Sequence, residues 1–327
     1  MEIDTKNSQS LPEPVIYNQY FLELDEVLEI LGIDNNYNTF QLESGSFKNK
    51  LNFINFGDWQ VTKGISNRAI QIDPEKPSDF VQFSFLYDPD TSPVVLGNVR
   101  LNAQYFWGFD PYKAAPLIIP ANVEVASVFI RQSYFQDYLQ QMNYPELATN
   151  LPLTDYIHVP QVIPTVQSYL HDLFQLTENN PNLLLCGCLT RLIQEDFIPL
   201  LIQAISSSPS FPVAPVTSHL RNEIVKKAKD YMMDNLHKPI TLKDLCKNLY
   251  VSSRSLIYGF QEILGTSPMN YLKILRLHGV RQALKQADPT QTNVKAIANQ
   301  FGFWSMGHFT RDYKSFFGEL PSITLKS

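Results

Sequence analysis

The chain has 327 residues, 44% hydrophobic and 18% charged, with 22 Pro, 13 Gly and 3 Cys. That composition excludes a disordered or collagen-like chain and a disulfide scaffold, and at the usual ~100–200 residues per domain the length predicts two domains. The net charge of −6 hides an asymmetry: residues 219–327 hold 16 Lys and Arg against 8 Asp and Glu, a balance of +8, which leaves −14 for residues 1–218. A basic segment carried by an acidic one points to a module that meets a polyanion.

In chain order, Met1–Thr5 lacks the basic and apolar regions of a signal peptide. No apolar run reaches the ~20 residues that a bilayer requires. The expectation is a cytoplasmic protein without a membrane partner. Residues 38–130 read as β-rich, with aromatic and β-branched runs at 51–56, 59–63, 80–86 and 123–130 divided by turn clusters such as Gly57-Asp58 and Asp88-Pro89-Asp90. Many short strands at this spacing predict an antiparallel sandwich or barrel. Residues 131–142, 162–176 and 182–205 read as helices, the last with an apolar stripe that serves either a core or a dimer seam. Cys186 and Cys188 in that stretch, and Cys246 further on, read as buried structural cysteines. Residues 206–218, with three prolines and five serines, predict a semi-rigid linker.

Beyond the linker the pattern is helical, and it repeats. Leu245, Leu256, Phe260, Gly265 and Pro268 recur as Ile297, Phe309, Tyr313, Gly318 and Pro321, at an offset of 52 for the first pair and 53 for the other four. In the first copy Thr241 opens a T-x-x-D capping box, and Ser252 caps a second helix that ends at Gly265. In the second, Asn293 and Ser305 take the capping roles and Gly302 the turn. Two short helices with a tight turn, twice over, predict a pair of helix-turn-helix motifs. With the apolar positions assigned inward, Ser252, Ser253, Arg254, Ile257, Tyr258 and Gln261 are left outward in copy one, and Ser305, Met306, His308, Thr310, Arg311 and Lys314 in copy two. These side chains combine donors for phosphates and base edges with groups that touch a thymine methyl, as a helix in the major groove needs. Lys226, Lys227 and Lys229 add unspecific attraction. A helix over 270–287 would hold the two units apart, so that both enter adjacent major grooves of one double-stranded DNA.

The segment Ile297-Ala-Asn-Gln-Phe-Gly-Phe-Trp-Ser-Met-Gly-His-Phe-Thr-Arg-Asp-Tyr-Lys-Ser-Phe-Phe-Gly-Glu-Leu-Pro321 carries Ile-Ala, Gly-Phe, His-Phe, Arg, an aromatic, Lys, Phe-Gly and Pro in order. Over residues 219–323 the chain resembles the two-motif DNA-binding domain of the AraC/XylS family of bacterial transcription regulators. It departs from the family pattern where Thr324-Leu325 replace Tyr-Arg, where Ile257 and Tyr258 replace a polar pair, and where Gly307 removes a contact side chain. The resemblance implies an activator that works with RNA polymerase, and an N-terminal cupin-like β-barrel with trailing helices that binds a small-molecule effector or forms a homodimer. The expected fold is α+β in two domains, 1–205 regulatory and 219–327 DNA-binding, joined by the linker.

Trp59, Tyr105 and Trp107, with Arg100 for an anionic effector, are the candidate ligand-binding residues of the first domain. Only His158 and His171 fall in residues 1–218, and no nucleotide-binding or hydrolase motif occurs, so neither metal, cofactor nor catalytic residues are expected. The alternatives are a cupin-type enzyme or a ligand-free interaction protein with an accessory DNA-binding domain.

Overall fold

Strands form where apolar and polar residues alternate. A computed structural model describes residues 14–30, 37–74, 79–97, 99–108, 116–151, 155–180, 182, 184, 187–206 and 219–326. The expected linker, apart from Ser206, and Cys186 lie outside these residues, as does the side chain of Cys188. The first half of the chain builds β1 (Val15–Phe21), α1 (Leu24–Ile30), β2 (Tyr37–Gln41), β3 (Asn49–Asn55), β4 (Trp59–Ser66), β5 (Ile70–Pro74), β6 (Phe80–Leu86) and β7 (Val94–Leu96). Then follow β8 (Val99–Leu101), β9 (Tyr105–Trp107), β10 (Leu117–Ile119), β11 (Glu124–Arg131), α2 (Gln132–Gln141), α3 (Pro145–Asn150) and β12 (Tyr156–His158). Two long helices close this half, α4 (Ile163–Asn179) and α5 (Gly187–Ser206).

Among the described residues the strands form a seven-stranded sheet in the order β1-β3-β4-β11-β6-β9-β12 and a five-stranded sheet in the order β2-β5-β10-β7-β8. All pairings are antiparallel, as expected. The cupin-like barrel is not borne out: β1 and β12 do not pair, nor do β2 and β8, so both sheets stay open. Closure needs an unbroken ladder, and β7 to β10 and β12, at three residues each, are too short to carry one round.

Register sorts the large sheet into two faces. Val61, Val128 and Phe83 lie in one row and share their side with Trp59, Ile130 and Phe85. On that face Trp59 stacks between Phe56 and Phe197 of α5 at 4.4 and 5.0 Å, and Phe83 meets Phe135 of α2 at 5.6 Å. The helices after β11 therefore cover the apolar face, the location of the larger core.

The second half is helical: α6 (His219–Asp234), α7 (Leu242–Leu249), α8 (Ser253–Leu264), α9 (Pro268–Gln286), α10 (Val294–Gln300), α11 (Met306–Phe317) and α12 (Pro321–Thr324). α8 and α11 have 12 residues each, begin 53 residues apart, and end on Gly265 and Gly318, both left-handed. The repeat read from sequence is thus a repeat of backbone. Capping follows the expectation at three of four helix starts. Thr241 and Asp244 form a reciprocal capping box on α7, while Ser252 accepts from Ser255 N–H and Asn293 from Ala296 N–H. Ser305 is the exception: it occupies the N-cap of α11, yet its backbone (φ −99°, ψ 101°) leaves the hydroxyl without a capping bond. A cap is worth about 1 kcal/mol when its bond is made. Thr241→Ala should therefore lower unfolding stability by about 1 kcal/mol, whereas Ser305→Ala should stay within about 0.5 kcal/mol of the parent, both read from urea titrations.

Candidate nucleic-acid interface

Each helix-turn-helix unit buries one face of its second helix and leaves the other open. In α8, Leu256, Gly259, Phe260, Ile263 and Leu264 are buried. Ser252, Ser253, Arg254, Ile257, Tyr258 and Gln261 are exposed on or before the same helix, as the sequence predicted. In α11, Phe309, Tyr313, Phe316 and Phe317 are buried, while His308, Arg311, Lys314 and Ser305 are exposed and Thr310 is half-exposed. Met306 differs, since it packs against the core of the second unit. Gln261 turns its amide to the carbonyl of Gly265 at 3.2 Å. Cys246 is half-buried, and its thiol reaches the Ser253 hydroxyl at 3.4 Å. Burial pushes the Tyr313 phenol up to about 12, and its oxygen lies 2.8 Å from the Thr324 hydroxyl inside the second unit.

The spacer is α9, and it belongs to both units. Tyr271, Leu272 and Leu275 lie in the first core; Ile274, Leu277, Val280 and Leu284 lie in the second. At 1.5 Å per residue its 19 residues span about 28 Å. Gly279 is needed there because a Cβ would collide with the Phe301 ring of the second unit.

The smaller sheet of the first half docks on the side of the helices away from these exposed faces. Phe40 of β2 joins the core of Val225, Ala228, Phe260 and Leu275. Gln71 of β5 donates to the Tyr271 hydroxyl at 2.9 Å, and Asp73 pairs with Lys229 of α6 at 2.6 Å. The contact continues to the second unit. The Gln41 amide and the Gly45 N–H both donate to the Phe316 carbonyl, at 3.2 and 3.0 Å. Glu23 holds Arg281 at 2.5 Å and also Lys285, and Glu319 holds Arg281 at 3.2 Å. Lys229 is therefore not a phosphate anchor, contrary to the sequence reading: it is a buried interface cation. Burial lowers its pKa, and Asp73 opposes that shift. Burial, and after it the charge of Asp73, raises the Tyr271 phenol well above its usual value. Lys226 and Lys227 stay exposed. Sequence reasoning could see the charge excess but not which cations a sheet would cover.

The four candidate ligand residues do not converge. Trp59 (0% exposed) lies on the helix face of the large sheet. Trp107 (1% exposed) pairs with Ser84 and so faces the other way. Tyr105 stands two residues before it, half-buried and 4.9 Å from His158, and Arg100 is exposed on β8. The sequence reading missed a buried polar row on the face of Trp107. Thr62, Ser127 and Ser84 align across three strands; the two serine hydroxyls lie 2.7 Å apart, and Gln82 donates to Ser84 at 2.7 Å. The Trp107 indole N–H beside them is buried with no acceptor among the described residues. Alternation in Phe80-Val-Gln-Phe-Ser-Phe was the available signal, but only the register shows that the polar positions meet. A cavity of about 20 Å³ elsewhere, between β1, β3 and α4 beside Asn52 and Glu178, has room for one water.

Two capped helix pairs, 53 residues apart on one shared strut, define a two-motif helix-turn-helix domain. A family described as "Helix-turn-helix domain" matches residues 245–327. Over 104 residues the chain is 42% identical to a probable thc operon regulatory protein of Rhodococcus erythropolis, covering 32% of this chain and 31% of that one. It is 33% identical over 105 residues to a XylDLEGF operon transcriptional activator of Pseudomonas putida, covering 32% and 33%. Among solved structures, a probable AraC family transcriptional regulator from Rhodopseudomonas palustris is 39% identical with a TM-score of 0.30, covering 32% of this chain and 95% of that one. The C-terminal region is a helix-turn-helix domain of the AraC/XylS type, and the relatives are named as regulators rather than enzymes. The chain spans about a third of the length of the two curated relatives it matches. Among the described residues no helix is long and apolar enough to cross a membrane.

Asp73→Asn should cost about 3 kcal/mol at pH 7, because it strands the Lys229 ammonium in the interface without a counter-charge. The unfolded chain then binds a proton more readily than the folded one, so stability rises with pH below the ordinary lysine value of 10.5. Thermal melts at pH 7 and pH 10 should show the deficit of the variant shrinking at the higher pH.

Proposed function

We propose that this protein is a sequence-specific transcription regulator that lays α8 and α11 in two adjacent major grooves of double-stranded DNA. The observation that carries the reading is the 53-residue repeat of a capped helix pair with an open polar face on each second helix. In the first unit Arg254, Ile257, Tyr258 and Gln261 face the DNA, with Ser252 and Ser253 at the entry. In the second Arg311, Lys314, Thr310 and His308 do so, with Ser305 beside the phosphates; Met306 contributes through packing. Arg is suited to bidentate recognition of guanine, and Ile257 to a thymine methyl. The relatives named as activators support activation, with RNA polymerase as partner and the cytoplasm as the place of work.

In this reading residues 1–205 regulate, 206–218 link and 219–327 bind DNA. Control passes through the interface of Phe40, Gln71, Asp73 and Glu23, which touches both units at once. The effector site is the polar row of Thr62, Ser127, Ser84 and Gln82 with the unsatisfied Trp107 N–H, which favours a small hydroxylated or carbonyl-bearing molecule over an anion. A homodimer would bring two such chains to one operator.

In gel shifts across a salt series, Arg311→Ala should weaken binding to the selected site. Loss of a base contact costs about 1–3 kcal/mol and relaxes one position, whereas loss of a phosphate contact lowers the salt slope by about one unit. Affinity and slope both matching the parent would remove Arg311 from the interface. A thermal-shift screen of small polar metabolites tests the effector: a hundredfold excess over Kd adds about 2.7 kcal/mol, and Ser127→Ala should abolish the shift.

A further inference from the structure

Two aromatic side chains on the helical half are exposed where the fold gains nothing from them. Tyr250 is 96% exposed and Trp304 is 74% exposed, while the chain's other two tryptophans are sealed in the core. Tyr250 lies in the turn of the first unit, two residues before the N-cap Ser252; Trp304 directly precedes the N-cap Ser305 of the second. Each therefore flanks the N-terminal end of a second helix, the end that approaches base edges in helix-turn-helix complexes.

The backbone at Tyr250 adds an independent observation. It closes α7 in the left-handed region, φ 56° and ψ 39°, a conformation that side chains disfavour. Fifty-two residues later the corresponding turn uses Gly302 at φ 81°, and the ends of α8 and α11 use Gly265 and Gly318. The chain places glycine at three such turns and a tyrosine at the fourth, with its ring in solvent. Strain retained at an exposed residue marks a site whose use lies outside the fold.

We propose that Tyr250 and Trp304 form an aromatic pair, one per unit, that packs on the sugar–phosphate backbone at the rim of each major groove. This rests on the DNA-binding reading above. Both side chains combine an apolar ring for the deoxyribose face with one donor, the Tyr Oη–H or the Trp Nε1–H, for a phosphate oxygen. The small sheet docks away from them, on α6, α9 and the C-terminal end of α11. The pair recurs with the same period as the recognition helices, which suits a polymer with a repeating backbone better than a protein surface.

The full-length chain and a duplex selected by it from random-sequence DNA give the test, with an unrelated duplex at low salt as the second probe. Trp304 alone is accessible to acrylamide, so its quenching should disappear when the selected duplex saturates the protein. Tyr250→Gly and Trp304→Ala should each weaken both duplexes about fivefold, a uniform loss. The slope of affinity against salt should not change, because no charge is removed. Tyr250→Gly should melt no lower than the parent; a lower midpoint assigns the ring to the fold and overturns its half of the proposal. Undiminished quenching in a complex that forms overturns the pair while leaving DNA binding intact. A parent chain that binds neither duplex overturns the functional reading itself. Variants that bind DNA normally yet fail to drive a reporter place the pair against a protein partner, which also overturns it.

Discussion

The shared burial of α9 is the constraint on which the helical half depends. One side of this helix supplies Tyr271, Leu272 and Leu275 to the first unit, and the other supplies Ile274, Leu277, Val280 and Leu284 to the second. A helix apolar on nearly every side must be enclosed, and here the two motifs enclose it. Their separation is therefore set by packing rather than by a tether. Removing one face of α9 would loosen both the unit it fills and the spacing of the two recognition helices.

The second constraint is electrostatic as well as steric. Asp73 and Glu23 from the acidic half meet Lys229, Arg281 and Lys285 from the basic half, and Phe40 and the Gln71–Tyr271 bond lie between them. Part of the basic excess is thus consumed inside the molecule. The cations that remain exposed, among them Arg254, Arg311 and Lys314, lie on the helix faces available to a polyanion. One sheet bridging both units also means that a shift of β2 or β5 is felt at two recognition helices together, which is the physical basis for regulation from the first half.

The N-terminal sheets solve a different problem. Helices α2 and α5 cover the face of Trp59, Phe83 and Val128, as expected for an amphipathic sheet. The opposite face is buried too, yet it carries Thr62, Ser84 and Ser127, joined by hydroxyl contacts. Buried polar groups are tolerable when they satisfy one another, and the Trp107 N–H is the member left over.

Most of the helical half was legible in the amino-acid order because its signals are local. Caps at Thr241, Ser252 and Asn293, glycines at 265 and 318, and apolar spacing over three or four residues each act within one turn of backbone. The four β runs were legible for the same reason, through alternation. What sequence misjudged was non-local: that the sheets stay open, that Trp59 and Trp107 face opposite ways, that Ser305 makes no capping bond, and that Lys229 is buried against Asp73. Sheet closure, strand register and the pairing of charges more than 150 residues apart depend on which surfaces meet once the chain has folded. Composition and spacing thus determined a basic, duplicated helix-turn-helix domain beside an acidic β domain. Only tertiary packing decided which of its cations remain free, because a charge's environment belongs to the surface that covers it.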